Sequence, residues 1–246
     1  MSIRPTTDNR QPTTGKLIRI FILLLVVSYL SLVSSAHAQS VDILWQGEVY
    51  TPPFYQGKTF WSKQSRVTLV AIPQGLGNTA NLNYKWTKNG TVLGNINGIG
   101  RNYLSFVDSI LSRPQTIEVA IVSGSGNVLA KTSTLIVPIT PALAVYESNP
   151  LYGFMFHKEV GEIYDIQGQE VTFSMFPLFV SALGRVDNVL NYRWETNGKT
   201  TGSANSATYR IPENVSGSSK IGVNFSNTKE IIQRANKSFL VQFENQ

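Results

Sequence analysis

Residues Leu82-Asn83-Tyr84-Lys85-Trp86-Thr87-Lys88-Asn89-Gly90 return as Leu190-Asn191-Tyr192-Arg193-Trp194-Glu195-Thr196-Asn197-Gly198, 190 − 82 = 108 positions later. A repeat spaced by the length of one small β-domain means two copies of one module. Within each copy the Tyr and the Trp are two residues apart, so on a strand they share one face with the preceding Leu. Asn-Gly follows the Trp after two residues and reverses the chain as a tight hairpin turn. The same Trp at the same phase in both copies points to core packing of Tyr84, Trp86, Tyr192 and Trp194 rather than to an exposed anchor.

Outward from this stretch, apolar residues alternate with polar ones, the signal of half-buried strands. In the first module this predicts strands over 66–72, 82–87, 103–106, 117–123 and 132–139. In the second it predicts 170–176, 190–195, 207–211, 221–226 and 237–243. Further matches tie the copies together: Val67-Thr68 with Val171-Thr172, Val119 with Val223, and Val49-Tyr50 with Val145-Tyr146. Gln74 to Asn81 and Pro177 to Asn188 read as corresponding loops. Only Lys229 to Ala235 hints at a helix, and a loop fits it as well. Val137-Pro138-Ile139-Thr140-Pro141 links the modules without a Gly/Ser tract, which predicts a stiff pair.

The order Tyr-x-Trp-x-x-Asn-Gly resembles the central strand and turn of bacterial immunoglobulin-like and PKD-like surface modules, over residues 41 to 246. The Asp-Phe-Gly-Asp type segment usual in PKD modules is replaced by Thr-Lys-Asn-Gly and Glu-Thr-Asn-Gly. The resemblance implies a structural, adhesive or binding role at a cell surface. The expected fold is therefore all-β: two tandem immunoglobulin-like sandwiches, residues 40–139 and 140–246, behind an N-terminal hydrophobic helix.

Residues 1–39 read as an export segment. Arg4, Arg10, Lys16 and Arg19 precede an apolar run from Ile20 to Val33, and Ala36-His37-Ala38 fits the small-x-small cleavage rule. The expected outcome is cleavage after Ala38. The alternative is a single-pass anchor through 17–35, and in both cases the positive charge keeps the N-terminus inside and places the modules outside the cytoplasmic membrane.

The 246 residues hold 21 Lys plus Arg against 15 Asp plus Glu. Residues 1–39 carry four of the bases and one acid, which leaves 17 against 14 for the modules. So small an excess, without a Lys/Arg cluster, is no footprint for nucleic acid. The chain has no Cys, so each module must be held by its core alone.

No reaction centre is legible. His157 is the one histidine beyond residue 39 and sits among aromatics in a surface segment. A metal cluster built on His cannot form, and a Ser-His-Asp triad would hang on that residue alone. Glu159, Glu162 and Asp165 are the closest acids and read as a solvated loop. Gly94 to Gly100 lacks the helix and lysine of a phosphate loop and reads as turns. No catalytic residue, cofactor or metal is expected.

The stretch with functional promise is the aromatic segment 45–61. Trp45, Tyr50, Phe54, Tyr55 and Trp61 surround Thr51-Pro52-Pro53-Phe54-Tyr55-Gln56-Gly57-Lys58, a stiff loop of the kind that binds with little entropy loss. Its echo, Asn149-Pro150-Leu151-Tyr152-Gly153, opens the second module and favours packing of this segment over the sandwich edge or between modules. The expected function is a non-enzymatic spacer or protein-interaction module whose partner is an envelope or surface protein. The alternatives are a carbohydrate-binding module or adhesin that takes a glycan on the aromatic loop, and a two-domain chaperone of the pilus-assembly type.

Overall fold

The structure, a computed structural model, describes residues 39–166, 168–211 and 213–244. The export segment, its cleavage site and the expected N-terminal helix lie outside the described residues. Gln39 onward forms one compact unit. Strands make nearly all of its regular structure, with single helical turns at Thr79–Asn81 and Gly94–Ile96.

The first half runs β1 (Ser40–Glu48), β2 (Arg66–Gln74), β3 (Asn83–Lys88), β4 (Thr91–Val92), β5 (Gly98–Ile99), β6 (Tyr103–Val107), β7 (Gln115–Val122) and β8 (Val128–Ile136). One sheet has the order β1-β2-β6 and the other β4-β3-β7-β8, with β5 paired to β3. The second half runs β9 (Ala142–Asn149), β10 (Gly153–Glu159), β11 (Ile163–Asp165), β12 (Glu170–Leu178), β13 (Leu190–Thr196), β14 (Lys199–Gly202), β15 (Ser206–Arg210), β16 (Gly217–Asn227) and β17 (Arg234–Phe243). Its sheets are β10-β9-β12-β15 and β11-β17-β16-β13-β14. The same frame is built twice: β1, β2 and β6 face β3, β4, β7 and β8 as β9, β12 and β15 face β13, β14, β16 and β17, the two-sheet plan of immunoglobulin-like sandwiches. The second module adds β10 and β11.

Alternation selects what lies between the sheets. Val67, Leu69 and Ala71 from β2 meet Tyr84 and Trp86 from β3 and Ile117, Val119 and Ile121 from β7, and all are buried. In the second module Val171, Phe173 and Met175 meet Tyr192, Trp194, Ile221, Val223 and Phe225. Each buried indole still finds an acceptor. Trp86 Nε1 donates to the Arg101 carbonyl and Trp194 Nε1 to that of Ala204, both at 2.8 Å. After each Trp the turn residues have left-handed backbones, Asn89 and Gly90 at φ 50° and 79°, Asn197 and Gly198 at 49° and 80°. These are the angles a two-residue hairpin turn requires.

Register corrects one alignment read from the sequence. Trp45 lies opposite Leu69 and Glu147 opposite Phe173, so Trp45 and Glu147 are equivalent. Val49-Tyr50 is therefore not the counterpart of Val145-Tyr146 but lies beyond the end of β1. Residues 229–233 are a turn leading into β17 and not a helix.

Candidate functional site: the strap between the two sandwiches

The connection from β1 to β2 leaves its own module. Gly47 N donates to the Thr59 carbonyl at 2.8 Å and closes the base of a loop whose tip reaches the second sandwich. There Tyr50 N donates to the Val180 carbonyl at 2.7 Å and Phe179 N to the Tyr50 carbonyl at 2.8 Å, a two-bond β-bridge. Pro52 fixes the bend, with Tyr55 N donating back to its carbonyl, and the Tyr55 hydroxyl donates to the carbonyl of Lys58. Prolines and aromatics suit this path because they reach far while losing little freedom.

Each aromatic residue of the segment is packed. Phe54 enters a cluster on the outer face of the β9–β12 sheet, its ring centroid 4.9 Å from Tyr146, 4.7 Å from Phe156 and 5.6 Å from Phe176. Tyr55 and Phe60 meet Phe179 edge-on at 5.2 and 5.7 Å. Tyr50 packs against the core of the second module. Trp45 packs against the core of the first, with Lys58 Nζ 3.3 Å above its ring. Trp61 has 0% of its surface exposed, and its Nε1 donates to the Ser65 carbonyl at 3.1 Å. This corrects the expectation of a ligand surface at Trp61, which is core, whereas Trp45, Tyr50, Phe54 and Tyr55 are half-buried, each ring resting with one side on protein. The physical reason is that the second sandwich presents its own aromatics where the loop arrives.

The strap has side-chain reinforcement that the sequence does not announce. Gln233 is fully buried between the modules. Its Nε2 donates to the Lys63 carbonyl at 2.8 Å and to Ser181 Oγ at 2.9 Å, and its Oε1 accepts from Ser181 N at 2.7 Å. Gln64 accepts from Ile232 N at 3.1 Å across the same junction. The linker is pinned too, since Ile139 N donates to the Trp61 carbonyl at 2.8 Å. No periodicity or motif marks Gln233, which lies in the 229–235 stretch whose sequence suits helix and loop alike.

Electrostatics at the junction follow from burial. Arg185 spreads its guanidinium over Phe154 and Phe176, 4.8 and 4.6 Å from the ring centroids. Burial pushes the Tyr50 hydroxyl above its ordinary pKa, with Arg185 pulling the other way. Tyr192 is raised for the same reason and donates to the Arg185 carbonyl at 2.7 Å. The N–H groups of Leu183 and Val189 hold the Asp187 carboxyl below the usual carboxylate range. That carboxylate caps its own loop.

Elsewhere, His157 stands exposed on β10 and Glu159 pairs with Lys237. Among the described residues no group of three or more His, Cys, Asp or Glu side chains converges, and no helix is long and apolar enough to cross a membrane. The arrangement can hold two sandwiches together, and its chemistry is that of packing and hydrogen bonding.

No protein-family model matches the chain, and no curated protein sequence matches it. Among solved structures it is similar to the fibronectin(III)-like modules of Clostridium thermocellum CbhA, with 12% identity, 83% of this chain and 94% of that one covered, and a TM-score of 0.27. It is similar to the tandem Ig repeats of Dlar, with 12% identity, 85% and 100% covered, and a TM-score of 0.26. A third similarity is to murine CEACAM1b, with 10% identity, 82% and 100% covered, and a TM-score of 0.27. Superpositions this loose carry no argument, and the sandwich assignment rests on the strand order and the two cores.

Proposed function

We propose that this chain is a non-enzymatic, exported protein of the cell surface or envelope, in which two sandwich domains act together as a spacer and protein-interaction module. The observation that carries the reading is the junction. A β-bridge, an aromatic plug and a fully buried glutamine tie the modules where a flexible linker would let them swing. Fixing a pair of small domains costs conformational entropy, and the cost is useful when the pair must present surfaces at a set spacing. Export rests on the basic start, the apolar run and Ala36-His37-Ala38, and the surface role on the likeness of the Tyr-x-Trp-x-x-Asn-Gly segment to PKD-like modules.

The glycan reading is less favoured, because Trp61 is core and the rings of Trp45, Tyr50, Phe54 and Tyr55 are partly taken up in packing. A glycan array probed with the full chain tests it directly, and binding there would restore it. The leading reading is tested by tagging the full chain at its C-terminus in its own host, followed by fractionation and envelope cross-linking. The expected result is a tag outside the cytoplasmic membrane, cross-linked to a specific envelope protein. A tag retained in the cytoplasm would overturn the reading.

A further inference from the structure

The two sandwiches are joined twice, by ties that share no residue. Near the linker, Gln233 serves Lys63 and Ser181, Gln64 accepts from Ile232 N, and Ile139 N donates to the Trp61 carbonyl. Farther out, the tip of the strap holds the second sandwich through the bridge from Tyr50 to Phe179 and Val180 and through the rings of Phe54 and Tyr55. The linker tie fixes the pair without the tip. Below its tip the strap is closed separately, by the bond from Gly47 N to the Thr59 carbonyl and by the buried Trp61 side chain. Residues 50–58 can therefore lift as a local opening that leaves both cores built.

The docked tip also rests on a strained residue. Five non-glycine residues have positive φ among the described residues, and three of them are Asn, which tolerates that region. The other two, Gln64 at 63° and Phe179 at 60°, both lie at the junction. A phenylalanine has no polar side chain to offset a left-handed backbone with a local hydrogen bond. Here the strap offsets it, since Phe179 N donates to the Tyr50 carbonyl and the Phe179 ring takes Tyr55 and Phe60 edge-on. Backbone strain of this kind collects at clamps and switch regions, because letting go relieves it.

What the tip covers has a defined chemistry. Tyr50 and Phe54 are half-buried and Pro52 between them is buried, while Pro53 is exposed. Phe54 is the wedge, set among Tyr146, Phe156 and Phe176, with Tyr146 and Phe176 only 6% and 3% exposed beneath it. Phe154 and Phe156 form the rim at 38% and 36% exposure, and Arg185 lies over Phe154 and Phe176. The strap itself thus shows what the site accepts: an extended Tyr-x-Pro-x-Phe segment that bridges Val180 by main chain and sets one ring on the aromatic floor. We propose that the strap tip is a displaceable plug, and that a protein partner inserts its own Pro-x-Phe segment in place of residues 50–58 while the Gln233 tie keeps the modules fixed. The plug sets a threshold, because a competitor must supply both the ring and the main-chain bridge to exchange like for like. The inference rests on the protein-interaction reading above and adds to it the site and the sequence class of the partner.

The full chain tests both halves of the proposal. In the wild type, amide exchange at Tyr50 and Phe179 is expected to be about tenfold faster than at Ser181 and Ile139, whose N–H groups belong to the linker tie. Equal rates would mean that the strap opens only with the whole junction, and would overturn the proposal. A synthetic peptide of residues 49–58 is then titrated into the wild type and into Phe54→Ala, which vacates the site and leaves its floor built. The expected result is an affinity about tenfold higher for Phe54→Ala, since the wild type must first lift its own plug, and loss of binding when the peptide carries Ala in place of its Phe. No binding to a Phe54→Ala chain that melts like the wild type, equal binding to both proteins, or equal binding of the Ala peptide overturns it. A wild-type dimer with exchanged straps would give the floor to a second copy and overturn it too. A chain that cross-links its envelope partner and binds no peptide keeps the proposed function and loses this inference, whereas a tag retained in the cytoplasm beside a working peptide site overturns the export reading alone.

Discussion

Gln233, on the turn before the last strand of the second sandwich, donates its amide to the main-chain carbonyl of Lys63 in the first, at 2.8 Å and with none of its own surface exposed. The same side chain serves Ser181 through both its oxygen and its nitrogen, so one residue satisfies buried groups on both sides of the junction. Leaving such groups unpaired costs about 1 to 3 kcal/mol. Gln233→Ala is expected to lower stability by about 3 kcal/mol and to separate a single denaturant transition into two. A single transition with an unchanged midpoint would show that the modules are coupled by something else.

The two tryptophans test the cores separately. Trp86 and Trp194 are both fully buried, each at the centre of its own cluster. Replacement by Ala removes the largest side chain from a closed space and is expected to cost about 3 to 5 kcal/mol. With the junction intact, each variant should broaden denaturation in its own half first, read from amide exchange on β7 for Trp86→Ala and on β16 for Trp194→Ala. Equal loss in both halves from either variant would mean one cooperative core.

What the sequence reveals and what it hides divide along physical lines. Ten strands are legible because their sequences alternate apolar with polar residues, a period of two that burial follows in β2, β3, β13 and β16. β9 escaped that test. Leu143, Ala144, Val145 and Tyr146 are all buried, because Phe54 and Phe156 cover the outer face while the core covers the inner one, and alternation vanishes. β10 escaped for the opposite reason, being exposed along almost all of its length. The aromatic segment stands out in the sequence and its echo points to packing, yet its target is not legible, since Phe179, Tyr146 and Phe176 lie roughly a hundred residues further along the chain. Gln233 carries no local signal, because its value comes only from where the turn places it.

The paired hairpin turns make a prediction about Asn. In both modules the Asn side chain accepts a main-chain N–H from the neighbouring strand, Asn89 from Thr116 at 2.8 Å and Asn197 from Lys220 at 2.9 Å. Each Asn also has a left-handed backbone, which Asn and Gly tolerate and Ala resists. Asn89→Ala and Asn197→Ala are each expected to cost about 2 kcal/mol, and Asn→Gly about half of that because only the side-chain hydrogen bonds, which include those to Gln115 and Ser219, are lost. Thermal melting of the four variants decides it. Equal losses for Ala and Gly would assign the whole effect to the hydrogen bond and none to the backbone.

Gly47 marks the point where the strap leaves the first sheet, and the reason for glycine there is space rather than backbone angle. A Cβ at this position would stand 2.5 Å from the carbonyl oxygen of Phe60 and 2.8 Å from the Cα of Trp61. Both are main-chain atoms, so relief requires the returning limb of the strap to shift and the bond from Gly47 N to Thr59 to lengthen. Gly47→Ala is expected to cost about 2 to 3 kcal/mol. The effect should travel, because the limb that moves is tied through residues 50–58 to the second sandwich. Faster amide exchange is therefore expected at Tyr50 and at Phe179, whose N–H groups make the β-bridge between the modules. Faster exchange at Tyr50 alone would mean that the tip of the strap lets go while Phe179 keeps a partner. No change at either, with a wild-type melting temperature, would mean that the chain does not cross Gly47 at all.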